Sequence, residues 1–462
     1  MQARHFVAIV SACLGLGACG DDTSGDSSAS ATGTTSTTAP GTDTVPTGTA
    51  PTSSGSASGG QTTSSGGDSV STSAADTTDG FIFDLGVSND FGSVECGCGN
   101  TEFSYIWIAN STESTVTRLN TRTMVEEGRY ITRPDKAGSP SRTSVSIDGR
   151  AVAVANRHGG LIKIWARPED CVEKNGTPGI QTSTGKDDVL AWDQDECVAW
   201  YNPFADVSVQ RPVAWTSGTL NPVTCVYEDQ KVWTITGKGG DSPGICGPEG
   251  IFIHRVNGDD GTIEDTVHIP EAESQCQGSL LGAYGAAVDP QNDLWFHTWG
   301  GLVFVVRNAT LTYEKVNTSS IYGITTDSKG RVWWGDSPRR YDPLTMLSES
   351  YTGDLPGAGG AGIAEDLKGR MWTATNGGVG WVDRDTLVAG DKVMLPEQTL
   401  YRGISVDIDG FIWAIPLGGT TAYKIDPDTY TWEVYDGLNG AYTYSDMTGG
   451  ALTKAQCGVP QG

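Results

Sequence analysis

Long apolar runs are nearly absent from this chain. The one candidate, residues 6–17 behind Arg4 and His5, is too short to span a bilayer as a permanent helix. That argues against a helical membrane-spanning protein and leaves an export signal over residues 1–18 as the expectation. Positive charge is scarce: 30 Lys and Arg stand against 56 Asp and Glu, a net charge of −26. Such a chain repels nucleic acid and anionic membrane surfaces, so neither is expected as a direct partner. Histidine is rare, with five residues in all and no His-x-x-x-His or His-Glu pair. His158, His254, His268 and His297 fall on separate segments. Of these, His297, just after Trp295-Phe296, either faces a channel mouth or is simply a packed or solvated side chain. No Cys-x-x-Cys pair exists, which weighs against zinc. No stretch carries a helical period.

What the chain has in quantity is glycine, and a repeat built on it. One spacing recurs four times: Gly, four residues on Asp, three on Gly or Asn, three on Trp. The copies are Gly285-Asp289-Asn292-Trp295, Gly323-Asp327-Gly330-Trp333, Gly362-Asp366-Gly369-Trp372 and Gly403-Asp407-Gly410-Trp413, so the tryptophans step by 38, 39 and 41 residues. In each copy a short apolar run leads into a polar turn and a second apolar run follows, which reads as a hairpin. Asp bonds its own backbone ahead, and Gly supplies positive φ at the turn's end. Asn292 takes that place in the first copy because Asn tolerates the left-handed region. Trp then pads the face between neighbouring units. A third strand such as Gly380-Trp381-Val382-Asp383 and a fourth such as Tyr430–Tyr435 complete each copy. A period near 40 with four short strands predicts an all-β fold, a seven-bladed β-propeller. A flat sandwich would not repeat a four-point spacing.

The second strands of the earlier blades centre on Trp107, Val152 and Trp233, which brings the count to seven. The step from Val152 to Trp233 is twice the period, and residues 170–221 are expected as an elaborated insertion, with a hidden eighth blade as the alternative. The first blade lacks its inner strand, and residues 442–452 look like an inner strand with nothing after it. Pairing that segment with residues 105–109 would close the ring and leave no free edge.

Residues 20–80 are nearly all Ser, Thr, Gly, Asp, Ala and Pro, too polar to bury a core. About sixty such residues make a flexible tether with an end-to-end distance of roughly 45 Å. The head, residues 81–462, is the propeller. Leu16-Gly17-Ala18-Cys19 resembles the lipobox of bacterial lipoproteins. That resemblance implies cleavage before Cys19, lipid on its sulfur, and an exported, membrane-anchored protein facing the periplasm or the cell surface. The membrane is then a partner through the lipid alone, and the ring itself is expected to be a monomer.

Apart from Cys13 and Cys19, eight cysteines remain, an even number that implies disulfides in an exported chain. Cys457 follows the closing segment, and Cys96 and Cys98 precede the strand it would join, so a bond between Cys457 and one of them is expected. Cys171–Cys197 would staple the insertion.

Inner strands of a propeller begin near the central channel, so the residue before or at the repeat's Gly points to one mouth. Those positions are Arg142, Tyr284, Tyr322, Arg402 and, on the closing strand, Tyr444, with Arg211 a looser fit. Converging Arg and Tyr suit an anion or a sugar. The alternative is that Tyr packs the channel while Arg pairs with Asp446 or Glu365. Asp187, Asp188, Asp193 and Asp195 form an acidic cluster where Ca²⁺ would sit if it is bound at all, although the twelve-residue calcium loop is absent.

From about Tyr105 to Leu452 the chain resembles the streptogramin lyase-like and related NHL/YVTN propellers. The wording is Leu294-Trp295-Phe296 and Asp327-Ser328-Lys329-Gly330-Arg331-Val332-Trp333. Val152 to Asn156 and Asp148-Gly149-Arg150 are similar to surface-layer-type propeller repeats. In the lyases a His before the repeat's Gly and a Glu three residues after the Trp supply the base and the Mg²⁺ ligands. Here the first positions hold Tyr284, Tyr322, Ala361 and Arg402, and the second hold Thr298, Asp336, Thr375 and Pro416. Only Asp336 keeps a carboxylate, so the catalytic set does not carry over and no cofactor is implied. The reading is a lipid-anchored propeller that binds a ligand or protein partner at one face. The alternative is a metal-assisted lyase or hydrolase using Asp336, His297 and Tyr322.

Overall fold

A hairpin repeated at fixed period must bury both of its faces, and stacking copies radially does so. The computed structural model describes residues 96, 102–319, 322–335, 337–353, 355, 361–397, 399–443 and 446–457. The expected export signal, Cys19, the Ser/Thr-rich segment, Cys98, Asp336 and Tyr444 lie outside the described residues. Those described all belong to one compact unit, Ser88–Gly462. Six antiparallel sheets of four strands, each running outward from an inner strand, and one of three strands make the seven blades. The fourth blade, for example, is Ala283–Val288, Leu294–Thr298, Leu302–Val306 and Tyr313–Ser319. Trp107, Trp233, Trp295, Trp333, Trp372 and Trp413 are buried between blades.

The repeat's spacing has a specific physical cause. In each of the four copies one oxygen of the Asp accepts two turn amides, and the other accepts the indole N–H of the Trp six residues on. For Asp327 these are the amides of Lys329 and Arg331, both at 2.9 Å, and Trp333 Nε1 at 2.8 Å. The same indole bond measures 2.8 Å for Asp289–Trp295, 2.9 Å for Asp366–Trp372 and 2.9 Å for Asp407–Trp413. The third position is left-handed in every copy, with φ of 62° at Asn292, 78° at Gly330, 75° at Gly369 and 90° at Gly410. Earlier blades lack this clamp: the Trp107 indole N–H has no hydrogen-bond partner among the described residues.

A second repeat shapes the turns between third and fourth strands. Asn120, Asp342, Asp383 and Asp426 each accept the amides two and three residues ahead. The chain then passes through a left-handed Met124, Met346, Leu387 or Tyr430, with φ of 57–59°. Across the seams these turns pair with the clamp turns of the neighbouring blade. Lys329 reaches Asp385 at 2.7 Å, Lys368 reaches Asp428 at 2.7 Å, and Arg122 of the first blade reaches Asp409 of the last at 2.7 Å.

The closing segment is not the regular strand expected over residues 442–452. It lies along the first blade's free edge through Tyr442 N to Ala109 O at 3.0 Å and Trp107 N to Met447 O at 2.9 Å. Then it turns at Gly449, φ 80°, and becomes a helix, Gly450–Cys457. Asp446 Oδ1 accepts Gly449 N at 2.9 Å and organises that turn. The helix was not anticipated because eight residues are too few for its period to show.

The expected insertion also resolves differently. Val198–Asn202 is the outer strand of the second blade and Val209–Trp215 the inner strand of the third. Pro212 and a register shift at Thr234/Thr236 disguise the latter. The extra chain is a loop over residues 166–197 and a small hairpin, Thr219–Asn221 with Val226–Glu228. Among the described residues there is no eighth blade. The loop folds around two carboxylates. Asp195 accepts from Thr182 and Ser183 side chains at 2.9 and 2.6 Å, and Glu196 from the amides of Lys174 and Gln181 at 2.7 and 2.8 Å. Asp187 pairs with Lys186 and Asp188 with Thr184, so the acidic cluster does not converge.

Three disulfides join described residues: Cys96–Cys225, Cys171–Cys197 and Cys246–Cys276. They fit an oxidising, extracytoplasmic environment. No helix among the described residues is long and apolar enough to cross a membrane. Of the two partners expected for Cys457, Cys96 is ruled out, since it meets Cys225 on the small hairpin's turn with Cα atoms 5.1 Å apart, and Cys98 lies outside the described residues. Cys457 is disulfide-bonded as well.

Trp413→Phe removes the indole donor and leaves a buried carboxylate oxygen of Asp407 unpartnered, which should cost about 1–3 kcal/mol. Burial pushes the Asp407 carboxyl up to about 6 against the opposing bonds from Trp413 and Phe411. Its folded state therefore holds the proton more tightly than the unfolded chain. That contribution to stability is present below about pH 4 and is lost as pH rises through about 6. Denaturant midpoints of wild type and variant should accordingly differ more at about pH 7.5 than at about pH 5. Equal deficits at both would assign the loss to packing alone.

Candidate functional site

Backbone bonds between inner strands bring the mouth residues together. Gly323 N donates to Ala361 O at 3.1 Å, and Gly362 N donates to Arg402 O at 2.7 Å. A Cβ on Gly323 would overlap the Ala361 carbonyl, so the repeat's glycine lets neighbouring blades meet at the axis. Arg142, Arg211, Tyr284 and Arg402 lie in the first residues of their inner strands. Tyr322 precedes Gly323 with φ of 84°.

These five expected residues converge, and Tyr442, Arg157 and Trp299 join them. The Tyr442 hydroxyl is 2.5 Å from that of Tyr284 and 3.0 Å from that of Tyr322. The Arg142 guanidinium lies 4.9 Å from the Tyr284 ring centre and 5.6 Å from that of Tyr442. Arg157 lies 4.9 Å over Tyr442, Arg211 5.1 Å over Tyr284 and Arg402 4.6 Å over Tyr322. Trp299 packs 4.6 Å from Tyr284. Arg142 and Arg211 are 0% and 2% exposed, so they charge the site from beneath, while Tyr442 and Trp299 form its partly exposed surface.

The electrostatics follow from that stacking. Burial alone would push the Tyr442 phenol up, but Arg142, Arg211 and Arg157 outweigh it and hold it at about 8. Burial, with Tyr442 next to it, pushes Tyr284 up to about 12 and Tyr322 upward too. Burial lowers Arg142 to about 10 against the pull of Tyr442 and Tyr284.

His297 does not face the mouth. It is buried behind Tyr322, with Nε2 against the Tyr322 carbonyl and Nδ1 3.1 Å from the Thr298 carbonyl, and burial lowers it to about 4. Asp446 and Glu365 are not the arginines' partners in this cluster. Glu365 pairs with Arg384 and accepts Ser328 N at 2.6 Å. Both line the opposite end of the axis beside Lys454 of the closing helix, around a cavity of about 40 Å³. That holds a water or two. Among the described residues no three His, Cys, Asp or Glu side chains gather as a metal site. Tyr442 lies two residues from the expected Tyr444, on the same alternation. Arg157 sits in a turn that the repeat spacing does not index.

One tyrosine should therefore ionise near pH 8 in an ultraviolet titration of the folded protein. It should vanish in Tyr442→Phe and move upward in Arg157→Ala. A wild-type curve with no such step would remove the electrostatic reading of the cluster.

No family model matches the chain. No curated protein matches it either. Among solved structures, a streptogramin B lyase overlays with a TM-score of 0.47 at 16% identity, over 69% of this chain and 89% of that one. A virginiamycin B lyase from Staphylococcus aureus gives 0.43 at 15% identity, over 64% and 84%. The dihydro-heme d1 dehydrogenase NirN gives 0.45 at 12% identity, over 73% and 64%. These are likenesses of fold, and the propeller assignment stands on the seven sheets themselves. The chain is a seven-bladed β-propeller, and its likeness to the streptogramin lyases is of that fold.

Proposed function

We propose that this protein is an exported, lipid-anchored propeller that binds an anionic ligand at the mouth built from Arg142, Arg157, Arg211 and Arg402. One observation carries the reading: four guanidiniums converge on three phenols at one end of the axis, in a chain whose net charge is −26. Concentrating positive charge against that background creates a local potential that draws anions. The partly exposed Tyr442 and Trp299 offer apolar faces against which a sugar or an aromatic acid would stack. The lipobox and the tether would hold the ring away from a membrane while leaving this face in solution. A metal-assisted lyase is not favoured, because His297 is buried with both ring nitrogens against carbonyl oxygens.

A thermal-shift titration of the purified full-length protein tests this, using sulfate, citrate and galacturonate oligomers as probes. A ligand at a hundred times its Kd stabilises by about 2.7 kcal/mol, a visible rise in Tm. The expected result is a rise with at least one anion, lost in Arg402→Ala and in Arg157→Ala. A rise that persists in both variants, or none with any anion, rejects the reading.

A further inference from the structure

Beside the mouth, the same face carries a second feature. The turn after strand Ala151–Asn156 splits two ways. Arg157 leans inward over Tyr442, while His158 lines a groove between the loops of the first three blades. The groove comprises two adjoining hollows of about 500 and 590 Å³ that share Arg133, His158, Asp206 and Val207. That is the size of small-ligand sites. Tyr201 lies along one side and Asp241 with Ser242 along the other.

The lining is chemically mixed and held in place. Arg133 donates to the carbonyl of His158 at 2.6 Å and forms an ion pair with Asp135 at 3.0 Å. His158 Nδ1 lies 2.9 Å from the Ala137 carbonyl, which can only accept, so Nδ1 carries the proton. Nε2 is then left as an acceptor, and no described residue bonds it. Burial holds this imidazole below its ordinary value, so it is neutral near pH 7. The Cys246–Cys276 bond ties the loop behind Asp241 to the next blade connection, which fixes the far wall. Carboxylates along the rim disfavour an anion here, in contrast to the mouth. A guanidinium, a neutral imidazole acceptor and carboxylates within one groove match paired hydroxyl groups, which both donate and accept, and Tyr201 offers an edge for a sugar ring.

We infer that this groove is a binding site for a neutral glycan segment, gripped by Arg133, His158 and Asp206. The site is distinct from the anion-binding mouth and does not depend on it.

Isothermal titration of the full-length protein with cellohexaose, xylohexaose, chitohexaose and maltohexaose tests the assignment. At least one should bind. His158→Ala and Asp206→Asn should each weaken it at least tenfold, Asp206→Asn with Tm unchanged because Asp206 is exposed on a surface loop, while Tyr442→Phe should leave the binding intact. Binding lost in Tyr442→Phe but kept in both groove variants would move the glycan to the mouth and overturn the assignment. Absence of heat from all four at millimolar concentration would overturn it too. Neither result bears on sulfate or citrate binding, so this inference and the anion reading fail separately.

Discussion

The structure depends on a single side-chain bond made four times: a buried aspartate holding a tryptophan indole. The aspartate alone would tighten a turn, and the tryptophan alone would fill a seam. Joined, they fix where the turn sits relative to the seam, so each hairpin arrives at its neighbour at one height. That height sets the opposite ends of the inner strands, where Tyr284, Tyr322 and Arg402 meet. The site is therefore a remote product of packing at the other face. The inter-blade ion pairs Lys329–Asp385, Lys368–Asp428 and Arg122–Asp409 reinforce the alignment from outside. They are solvated and individually weak, and the last one reverses polarity where the ring joins itself.

Most of the fold was legible because its constraint is periodic. Glycine at the axis, a left-handed turn residue and a seam-filling tryptophan each need a particular residue type, so the spacing survives in the sequence. The indole bond was not legible, since Asp and Trp at that spacing are each explained without it. The second turn motif was hidden more thoroughly. Its left-handed position carries Met124, Met346, Leu387 or Tyr430, residues that seldom adopt positive φ and so give no signal. In three of these the side chain packs onto the core of a seam, which compensates the backbone cost.

The candidate site was legible where the axis index applies, at Arg142, Arg211, Tyr284, Tyr322 and Arg402. It failed where local geometry departs from the repeat. Tyr442 was not picked out by the pattern, and Tyr444, which was, lies outside the described residues. Arg157, Trp299 and the His158 groove lie in connections, which the spacing does not describe. The Cys171–Cys197 staple was legible because its ends lie 26 residues apart in one loop, but the partner of Cys96 was opaque for a different reason. Cys96 and Cys225 are 129 residues apart in sequence, and only the completed ring brings them together.

The way the ring shuts has a consequence for how the protein must be made. Strand Tyr105–Asn110 receives its missing edge partner from the far end of the chain, and Asn110 and Asn439, which hydrogen-bond across that junction, are 329 residues apart. A chain delivered across a membrane from its N-terminus would present this open apolar edge long before its cover arrives. Such an edge invites pairing with another copy. On such a route the first blade would stay a half-built sheet until residues 442–447 arrive to cover it.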